Sequence, residues 1–149
     1  MIVSTCDPDS ADARVLVDEL SRALAAITGD SGASSFSADD TRAARSCFVI
    51  ARAADGALLG CGALRRLDEH SAEIKRMYAR AGSGAGAALL AHLEGEAARF
   101  GYRELRLSTR RVNLRAVAFY EKHGYRAVPA FGKYIGRDEA ICLGKSVFL

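Results

Sequence analysis

The chain has 149 residues, of which 50% are hydrophobic and 26% are charged, and its formal net charge is +3. This composition is ordinary for a globular protein, and the length suits one domain over residues 1–149. The weak positive excess does not favour a nucleic-acid-binding protein, although a local cluster of positive charge would be enough for a small phosphate-bearing ligand.

The first predicted elements are a strand, a helix and a polar loop. The opening MIVST is typical of a short strand. Asp9 or Ser10 can cap a helix whose apolar residues recur every three or four positions as far as Ile27. The glycine- and serine-rich segment 29–40 then predicts a loop with one short helical turn.

Three strand patterns follow this loop. The runs CFVIARA at 47–53 and ALLGCGALRRL at 57–67 flank Asp55-Gly56, a pair that favours a tight hairpin turn. These two strands are therefore expected to pair antiparallel. The third pattern is AEIKRMYA at 72–79, which lies directly before a glycine-rich run.

The C-terminal half alternates helices with extended segments. We predict a helix that ends at Gly101, a strand at 103–109, a helix at 112–123 and extended pieces within 125–131 and 139–147. Alternation of this kind predicts the α/β class, with a mixed central β-sheet flanked by helices.

The glycine-rich run between the third strand and the next helix is a candidate anion site. Gly84, Ala85, Gly86 and Ala87 are expected to form the first turn of the helix. The first N–H groups of a helix lack internal acceptors and attract an anion such as a phosphate, which glycines allow to come close. A Gly-x-Gly turn that serves only the chain bend is the alternative.

Together with this run, the strand AEIKRMYA and the string NLRAVAFYEKHGY at 113–125 resemble the GNAT superfamily of N-acetyltransferases, which use acetyl-CoA. The resemblance covers most of the chain and implies the acyl-CoA N-acyltransferase fold. It implies the following roles: Met77, Tyr78 and Ala79 line the pantetheine arm, Ser83, Gly84, Ala85, Gly86 and Ala87 hold the pyrophosphate, and Asn113 and Tyr120 lie near the sulfur.

The loop departs from the family pattern at one position. When its glycines are aligned with the family's, Ala81 stands where an Arg or Gln is usual. Positive charge for the phosphates would then come from Arg80, Arg115 or Lys122.

Glu73 is the candidate general base. An alkylammonium acceptor has a pKa of about 10.4 and must lose a proton before its nitrogen can attack a thioester. The resemblance implies that Glu73 takes this proton, directly or through water, with Glu69 as the weaker candidate. The structural alternative for Glu73 is a surface ion pair with Lys75 or with an arginine on a neighbouring strand.

Tyr120 is the candidate general acid for the departing thiolate. Its spacing from Asn113 puts both side chains on one face of the predicted helix. The alternative is a core aromatic residue whose hydroxyl is satisfied. A backbone N–H near Tyr78 would stabilise the negative charge that develops on the carbonyl oxygen.

The resemblance also implies that segments 29–36 and 129–139 flank the acceptor entrance. The side chains offered there are Asp30, Phe36, Phe131, Lys133, Tyr134 and Arg137. Lys133 and Arg137 could pair with an acceptor carboxylate, but the pattern does not choose among arylamine, amino acid, polyamine and peptide.

We therefore expect an N-acetyltransferase that moves an acetyl group from acetyl-CoA directly to a primary amine of a small molecule or peptide. Another acyl-CoA as donor remains open. A non-catalytic acyl-CoA-binding or regulatory protein of the same fold is the main alternative, and an unrelated α/β interaction domain is another.

The cysteines and the termini bear on compartment and partners. The four cysteines form no CxxC pair, and no histidine lies at metal-ligand spacing from them. We therefore expect no metal and a reducing, cytoplasmic setting. No apolar run is long enough for a membrane span, so no membrane partner is expected. The apolar tail SVFL is compatible with a homodimer formed through terminal strands or with core packing.

Overall fold

The structure is a computed structural model that describes residues 1–147, without the side chain of Ser35. Within this range seven strands and three α-helices alternate. The strands are β1 (Ile2–Thr5), β2 (Cys47–Arg52), β3 (Leu58–Arg66), β4 (Ser71–Ala79), β5 (Glu104–Arg110), β6 (Arg126–Ala127) and β7 (Ala140–Ser146). The helices are α1 (Ala11–Thr28), α2 (Ala85–Arg99) and α3 (Leu114–Lys122), and short 3₁₀ turns cover Ala33–Ser35, Ala38–Thr41 and Gly132–Tyr134.

The strands form one mixed sheet in the order β1-β2-β3-β4-β5-β7-β6. All neighbouring pairs are antiparallel except β4 and β5, which are parallel. That parallel pairing is short, because it joins only Ser71, Ala72 and Glu73 to residues 104–106. Beyond Glu73 the two strands separate and leave a gap in the middle of the sheet.

A β-bulge in β4 lies where this gap begins. Cys61 pairs with Tyr78 and Ala63 pairs with Lys75, so the two residues Arg76 and Met77 stand opposite a single residue of β3. Arg76 takes the left-handed conformation, with φ of 53°. A bulge bends its strand and increases the local twist, which turns the second half of β4 away from β5.

The helices cover opposite faces of the sheet, as side-chain alternation in the strands requires. On β2, Val49 faces a cluster that includes Leu90 and Leu93 of α2, whereas Phe48 and Ile50 face a cluster with Leu16 of α1. Each fully buried leucine in these clusters contributes roughly 1.5–3 kcal/mol to folding. Ile27 departs from the predicted apolar stripe of α1, since it is 51% exposed at the end of the helix.

Most predicted elements are confirmed within one or two residues. Ser10 caps α1 through a hydrogen bond from the Ala13 N–H, and Gly29 ends the helix at φ of 80°. The predicted segment 125–131 was too long, because only Arg126–Ala127 is a strand. Within the SVFL tail, Ser146 ends β7 and Val147 packs into the core, whereas residues 148–149 lie outside the described residues.

Candidate active site

The gap between β4 and β5 opens into a cavity of about 210 Å³, called here the sheet cavity. Its floor is formed by β4 from Glu73 to Met77 and by β5 from Leu107 to Arg110. Helices α1 and α3, the segment after α1 and the segment before β7 form the walls. Residues from six separate stretches of sequence therefore meet at one place.

Glu73 lines the sheet cavity, although its side chain is only 1% exposed. Its Oε1 accepts a hydrogen bond of 2.8 Å from Arg65 Nε, directly across the β3–β4 pairing. Lys75 Nζ lies 3.6 Å from Oε2. The expected pairing with Lys75 and with an arginine of the neighbouring strand is present, but it is a buried pairing rather than a surface one.

Tyr134 connects Glu73 with Lys75. Its hydroxyl donates a hydrogen bond of 2.9 Å to Glu73 Oε2 and accepts one of 3.2 Å from Lys75 Nζ. Burial, followed by the nearby Glu73 carboxylate, raises the pKa of Tyr134, so the phenol remains a donor at neutral pH. Burial lowers the pKa of Lys75. The sequence indicated Tyr134 only as an entrance residue.

Tyr120 of α3 also lines the sheet cavity. Its ring packs edge-on against Phe119 at 5.2 Å and Tyr125 at 5.7 Å, so it belongs to the core. Its hydroxyl has no hydrogen bond to any of residues 1–147. Burial raises the pKa of Tyr120, which keeps its proton on the oxygen at neutral pH.

Asn113 also lines the cavity and begins α3 as its N-cap. Its Oδ1 accepts a hydrogen bond of 3.3 Å from the Ala116 N–H, which stabilises the first turn. This cap orients α3, and it brings Asn113, Ala116 and Tyr120 to one wall, as their spacing predicted.

The glycine-rich loop ends in an open helix N-terminus. Gly84 precedes α2 with φ of 71°, and no side chain caps the helix. The Ala85 N–H donates to Ser83 Oγ at 3.2 Å, whereas the following N–H groups of the first turn have no acceptor within the helix. A Cβ added at Gly86 would meet the Phe119 ring at 3.3 Å, so this glycine lets α2 approach α3.

Arg80 does not serve the glycine-rich loop. Its guanidinium pairs with Glu19 of α1 at 2.7 Å and donates to the Leu58 carbonyl at 2.8 Å. Tyr78 also donates to Glu19, at 2.9 Å. The Arg80 side chain therefore holds α1 against the sheet, and its charge is compensated by Glu19.

The backbone of β4 offers amides to the gap. The Arg80 N–H donates to the Leu59 carbonyl on β3 at 2.8 Å. Because successive amides of an extended strand point to opposite edges, the N–H groups of Ala79 and Met77 point toward the edge that β5 leaves unpaired. The Tyr78 amide points toward β3, so its neighbours are better placed to contact a ligand in the gap.

The expected acceptor-side residues divide between two cavities. Asp30 and Arg137 line the sheet cavity, and Phe36 and Phe131 line a second cavity of about 240 Å³, called the side cavity. Lys133 and Tyr134 line both.

Arg76 is a lining residue that sequence reasoning missed. A buried arginine in a strand pattern carries no local signal, since its position follows from the bulge.

The sequence model of the acetyltransferase (GNAT) family matches residues 15–125, which include β4, the glycine-rich loop and α3. The chain belongs to the GNAT family. It is an acyltransferase that uses acetyl-CoA as its co-substrate, and an unrelated interaction domain is thereby excluded.

Solved GNAT-like structures share the fold over nearly the whole chain. A Klebsiella pneumoniae protein assigned as an acyl-CoA N-acyltransferase is 25% identical, with a TM-score of 0.82 and coverage of 99% of this chain and 97% of that one. An aminoglycoside 6'-acetyltransferase type Ii is 26% identical, with a TM-score of 0.67 and coverage of 98% and 97%.

A GNAT acetyltransferase from Elizabethkingia anophelis, with acetyl-CoA bound, is 15% identical, with a TM-score of 0.71 and coverage of 98% and 97%. A comparison with curated protein sequences finds no match.

Two further features of this GNAT chain concern metals and membranes. Within residues 1–147, no cluster of His, Cys, Asp and Glu side chains is suited to hold a metal ion. None of the helices described is both long enough and apolar enough to cross a bilayer.

Proposed function

We propose that this GNAT protein transfers the acetyl group of acetyl-CoA directly to a primary amine of a small molecule or peptide. The observation that carries the proposal is that one cavity, opened by the separation of β4 and β5, is lined by both Glu73 and Tyr120. A carboxylate and a protonated phenol that line the same cavity are the two proton-handling groups that such a transfer needs.

The chain offers a fitting site for acetyl-CoA. The open N-terminus of α2, from Ser83 to Ala87, would hold the pyrophosphate through backbone N–H groups and the helix dipole. The unpaired edge of β4 at Met77, Tyr78 and Ala79 would hold the pantetheine arm. When bound, acetyl-CoA supplies an acyl group activated as a thioester, with Asn113 and Tyr120 near its sulfur.

Glu73 would accept the proton that the amine releases as the new N–C bond forms. Its Oε2 is already engaged by the Tyr134 hydroxyl, so the proton would arrive through this hydroxyl or through a water molecule beside it. Arg65 and Lys75 hold the carboxylate in place. Tyr134 would therefore orient the Glu73 carboxylate and, on the first route, also relay the proton.

Groups of β4 and α3 would stabilise the carbonyl oxygen and protonate the sulfur. The amides of Met77 and Ala79 would stabilise negative charge on the carbonyl oxygen, which refines the expectation centred on Tyr78. Tyr120 would protonate the sulfur as the C–S bond breaks. An acceptor that arrives as an ammonium ion would thus give up two protons by way of Glu73: one is released to solvent, and the other replaces, through solvent, the proton that Tyr120 gives to the sulfur. No covalent acyl-enzyme is required.

Two features support the wider setting that we propose. The named activity of the aminoglycoside acetyltransferase in the comparison supports an amine acceptor here. Cys47, Cys61 and Cys142 are buried as free thiols, which supports a reducing, cytoplasmic setting. One domain over residues 1–149 stays a prediction. A homodimer formed through terminal strands stays a prediction.

Ala87→Glu tests the proposed cofactor site. Ala87 is exposed in the first turn of α2, where a glutamate suits the helix but places negative charge against an incoming phosphate. Ala91→Glu, one turn later and also exposed, is the matched control. We expect acetyl-CoA to bind the parent protein with micromolar affinity, about −8 kcal/mol, and the affinity to fall at least ~10-fold in Ala87→Glu alone.

The same proteins are then given a panel of primary amines with acetyl-CoA. Acetylated product from the parent and from Ala91→Glu supports the proposal. Tight binding of acetyl-CoA without turnover of any amine would contradict it and favour the non-catalytic acyl-CoA-binding alternative.

A further inference from the structure

The walls of the sheet cavity carry an excess of positive charge. Five cationic side chains line it, from Lys75, Arg76, Arg110, Lys133 and Arg137. Three carboxylates line it, from Asp30, Glu73 and Glu139. The glycine-rich loop is not among the lining residues, so this charge is separate from the proposed pyrophosphate site.

Two of the three carboxylates are already neutralised. Asp30 pairs with Arg110 at 3.0 Å, and Glu73 pairs with Arg65 at 2.8 Å as well as with Lys75. Glu139 is the one lining carboxylate without an ion pair among the described residues, and it is exposed.

Three of the cations keep their charge uncompensated. Neither Arg76, Lys133 nor Arg137 has a carboxylate within ion-pair distance in the part of the chain that the structure describes. The free charge of the cavity wall is therefore positive. Lys133 also lines the side cavity, where Lys75 and Arg65 are already paired with Glu73 and the one lining carboxylate among the described residues is that of Asp40.

Among these cations, Arg76 gives the strongest evidence for an anion site, because it is only 7% exposed. Its guanidinium donates to the carbonyls of Val17 and Ser31 and to the hydroxyl of Ser21, which are all neutral acceptors. Its Nε has no hydrogen-bond partner among residues 1–147. A buried cation without a counter-charge is unfavourable, and an anion that enters the cavity would compensate it.

We propose that the acceptor is a primary amine that also carries an anionic group, a carboxylate or a phosphate, attracted by Arg76, Lys133 and Arg137. This substrate class rests on the proposed function, since the amine end must still meet the acetyl group. A polyamine would bring several ammonium groups against a wall whose free charge is already positive. The acceptor is therefore an amine with low or negative net charge.

Pairs of acceptors that differ mainly in charge test this class. Initial rates are measured for β-alanine against β-alaninamide, for 2-aminoethylphosphonate against ethanolamine, and for spermidine as the polycation. We expect kcat/KM for at least one anionic amine to exceed that of its neutral partner by ~10-fold or more, and spermidine to be poorest. The two pairs distinguish a carboxylate from a phosphate-like group.

The variants Lys133→Gln and Arg137→Gln, alone and combined, test whether these two side chains attract the anionic group of the acceptor. Both side chains are exposed, so the variants should fold, whereas Arg76 also joins α1 to β4 and is left intact. We expect kcat/KM for the anionic amine to fall ~10-fold in the double variant, so that its advantage over the neutral amine is lost. Arg103→Gln removes an exposed charge outside the cavity and is the control.

The outcomes separate this inference from the proposed function. Acetylation of neutral or polycationic amines with equal or better efficiency would overturn the anionic class and leave the amine transferase standing. An anionic preference that survives in the double variant would overturn the assignment of Lys133 and Arg137. If acetyl-CoA binds but no amine is acetylated, the proposed function fails, and the substrate class fails with it.

Discussion

The Tyr134 hydroxyl donates a hydrogen bond of 2.9 Å to the carboxylate of Glu73, a residue 61 positions earlier in the chain. The contact joins the 3₁₀ turn before β7 to the middle of the sheet. It also covers Glu73, whose side chain is 1% exposed. The segment before β7 therefore contributes to the burial of the proposed base.

Tyr134→Phe removes this hydroxyl and keeps the ring. A hydrogen bond to a charged group contributes about 1.5–3 kcal/mol, so we expect kcat to fall roughly 10- to 100-fold. The dissociation constant of acetyl-CoA, measured by calorimetry, should stay within about 2-fold, since the loop before α2 is untouched. Tyr102→Phe is the control, because its hydroxyl donates to the Arg45 carbonyl away from the cavity. Equal effects of the two changes on kcat would contradict a role for Tyr134.

Glu73→Gln tests the proposed general base. Loss of general-base catalysis typically costs ~10²- to 10⁴-fold, and we expect a fall in kcat within this range. The change also leaves Arg65 and Lys75 without their carboxylate, so the melting temperature should fall. Acetyl-CoA binding confirms that the variant is folded at the assay temperature. Glu69→Gln, in the exposed turn before β4, should keep parent activity; a stronger effect there would transfer the role to Glu69.

Tyr120→Phe tests the proposed general acid. We expect kcat to fall about 10- to 100-fold with unchanged acetyl-CoA affinity, because only the hydroxyl at the cavity is lost. Burial raises the pKa of this phenol, so the acid form persists as the pH rises, and parent kcat should not decline between about pH 7 and 10 through Tyr120 ionisation. Tyr125→Phe is the control, since its hydroxyl donates to Glu94. Parent-like kcat in Tyr120→Phe would leave Tyr120 as a core residue only.

Gly60→Ala and Gly95→Ala should change stability in opposite directions. A Cβ at Gly60 would lie 2.3 Å from the Tyr78 carbonyl oxygen, so β3 and β4 must shift, and we expect a loss of roughly 1–3 kcal/mol. At Gly95 an added Cβ meets no atom within 4 Å, and the helix should gain up to about 1 kcal/mol. Urea unfolding measures both free energies. An unchanged free energy of unfolding in Gly60→Ala would show that β3 and β4 leave room for a methyl group between Gly60 and Tyr78.

The buried thiols should resist alkylation. Burial raises the pKa of both Cys47 and Cys61 to about 12, so the reactive thiolate is only about 1 part in 10⁴ at about pH 8. With iodoacetamide we expect mass spectrometry to find these two residues unmodified and the activity unchanged. The protein unfolded in guanidinium chloride should be labelled at all of its cysteines. Rapid labelling of native Cys61 would show that the core opens between α1 and the sheet.

Local signals in the sequence explain why the main elements could be predicted. The Ser10 cap, Gly29 and the Asp55-Gly56 turn each act within a few residues, so their effect is visible in the chain itself. The glycine-rich loop and the string at 113–125 are also local signals. They made it possible to predict where α2 and α3 begin and to recognise the family.

The cavity depends on contacts that are distant in sequence. The β4–β5 pairing covers only three residues of β4, and the bulge at Arg76 is an irregularity in the pairing of β4 with β3. Both features involve neighbouring strands, so no pattern within β4 alone indicates them.

The amino-acid sequence alone thus determined the order of elements and the helix ends, because each depends on neighbours along the chain. Its resemblance to the GNAT family also made Glu73 and Tyr120 candidates. The tertiary structure alone decided that Glu73 is buried beside Tyr134, that Arg80 is held by Glu19 and that Arg76 lines the cavity. These features require residues tens of positions apart to meet, and only packing of the whole sheet brings them together.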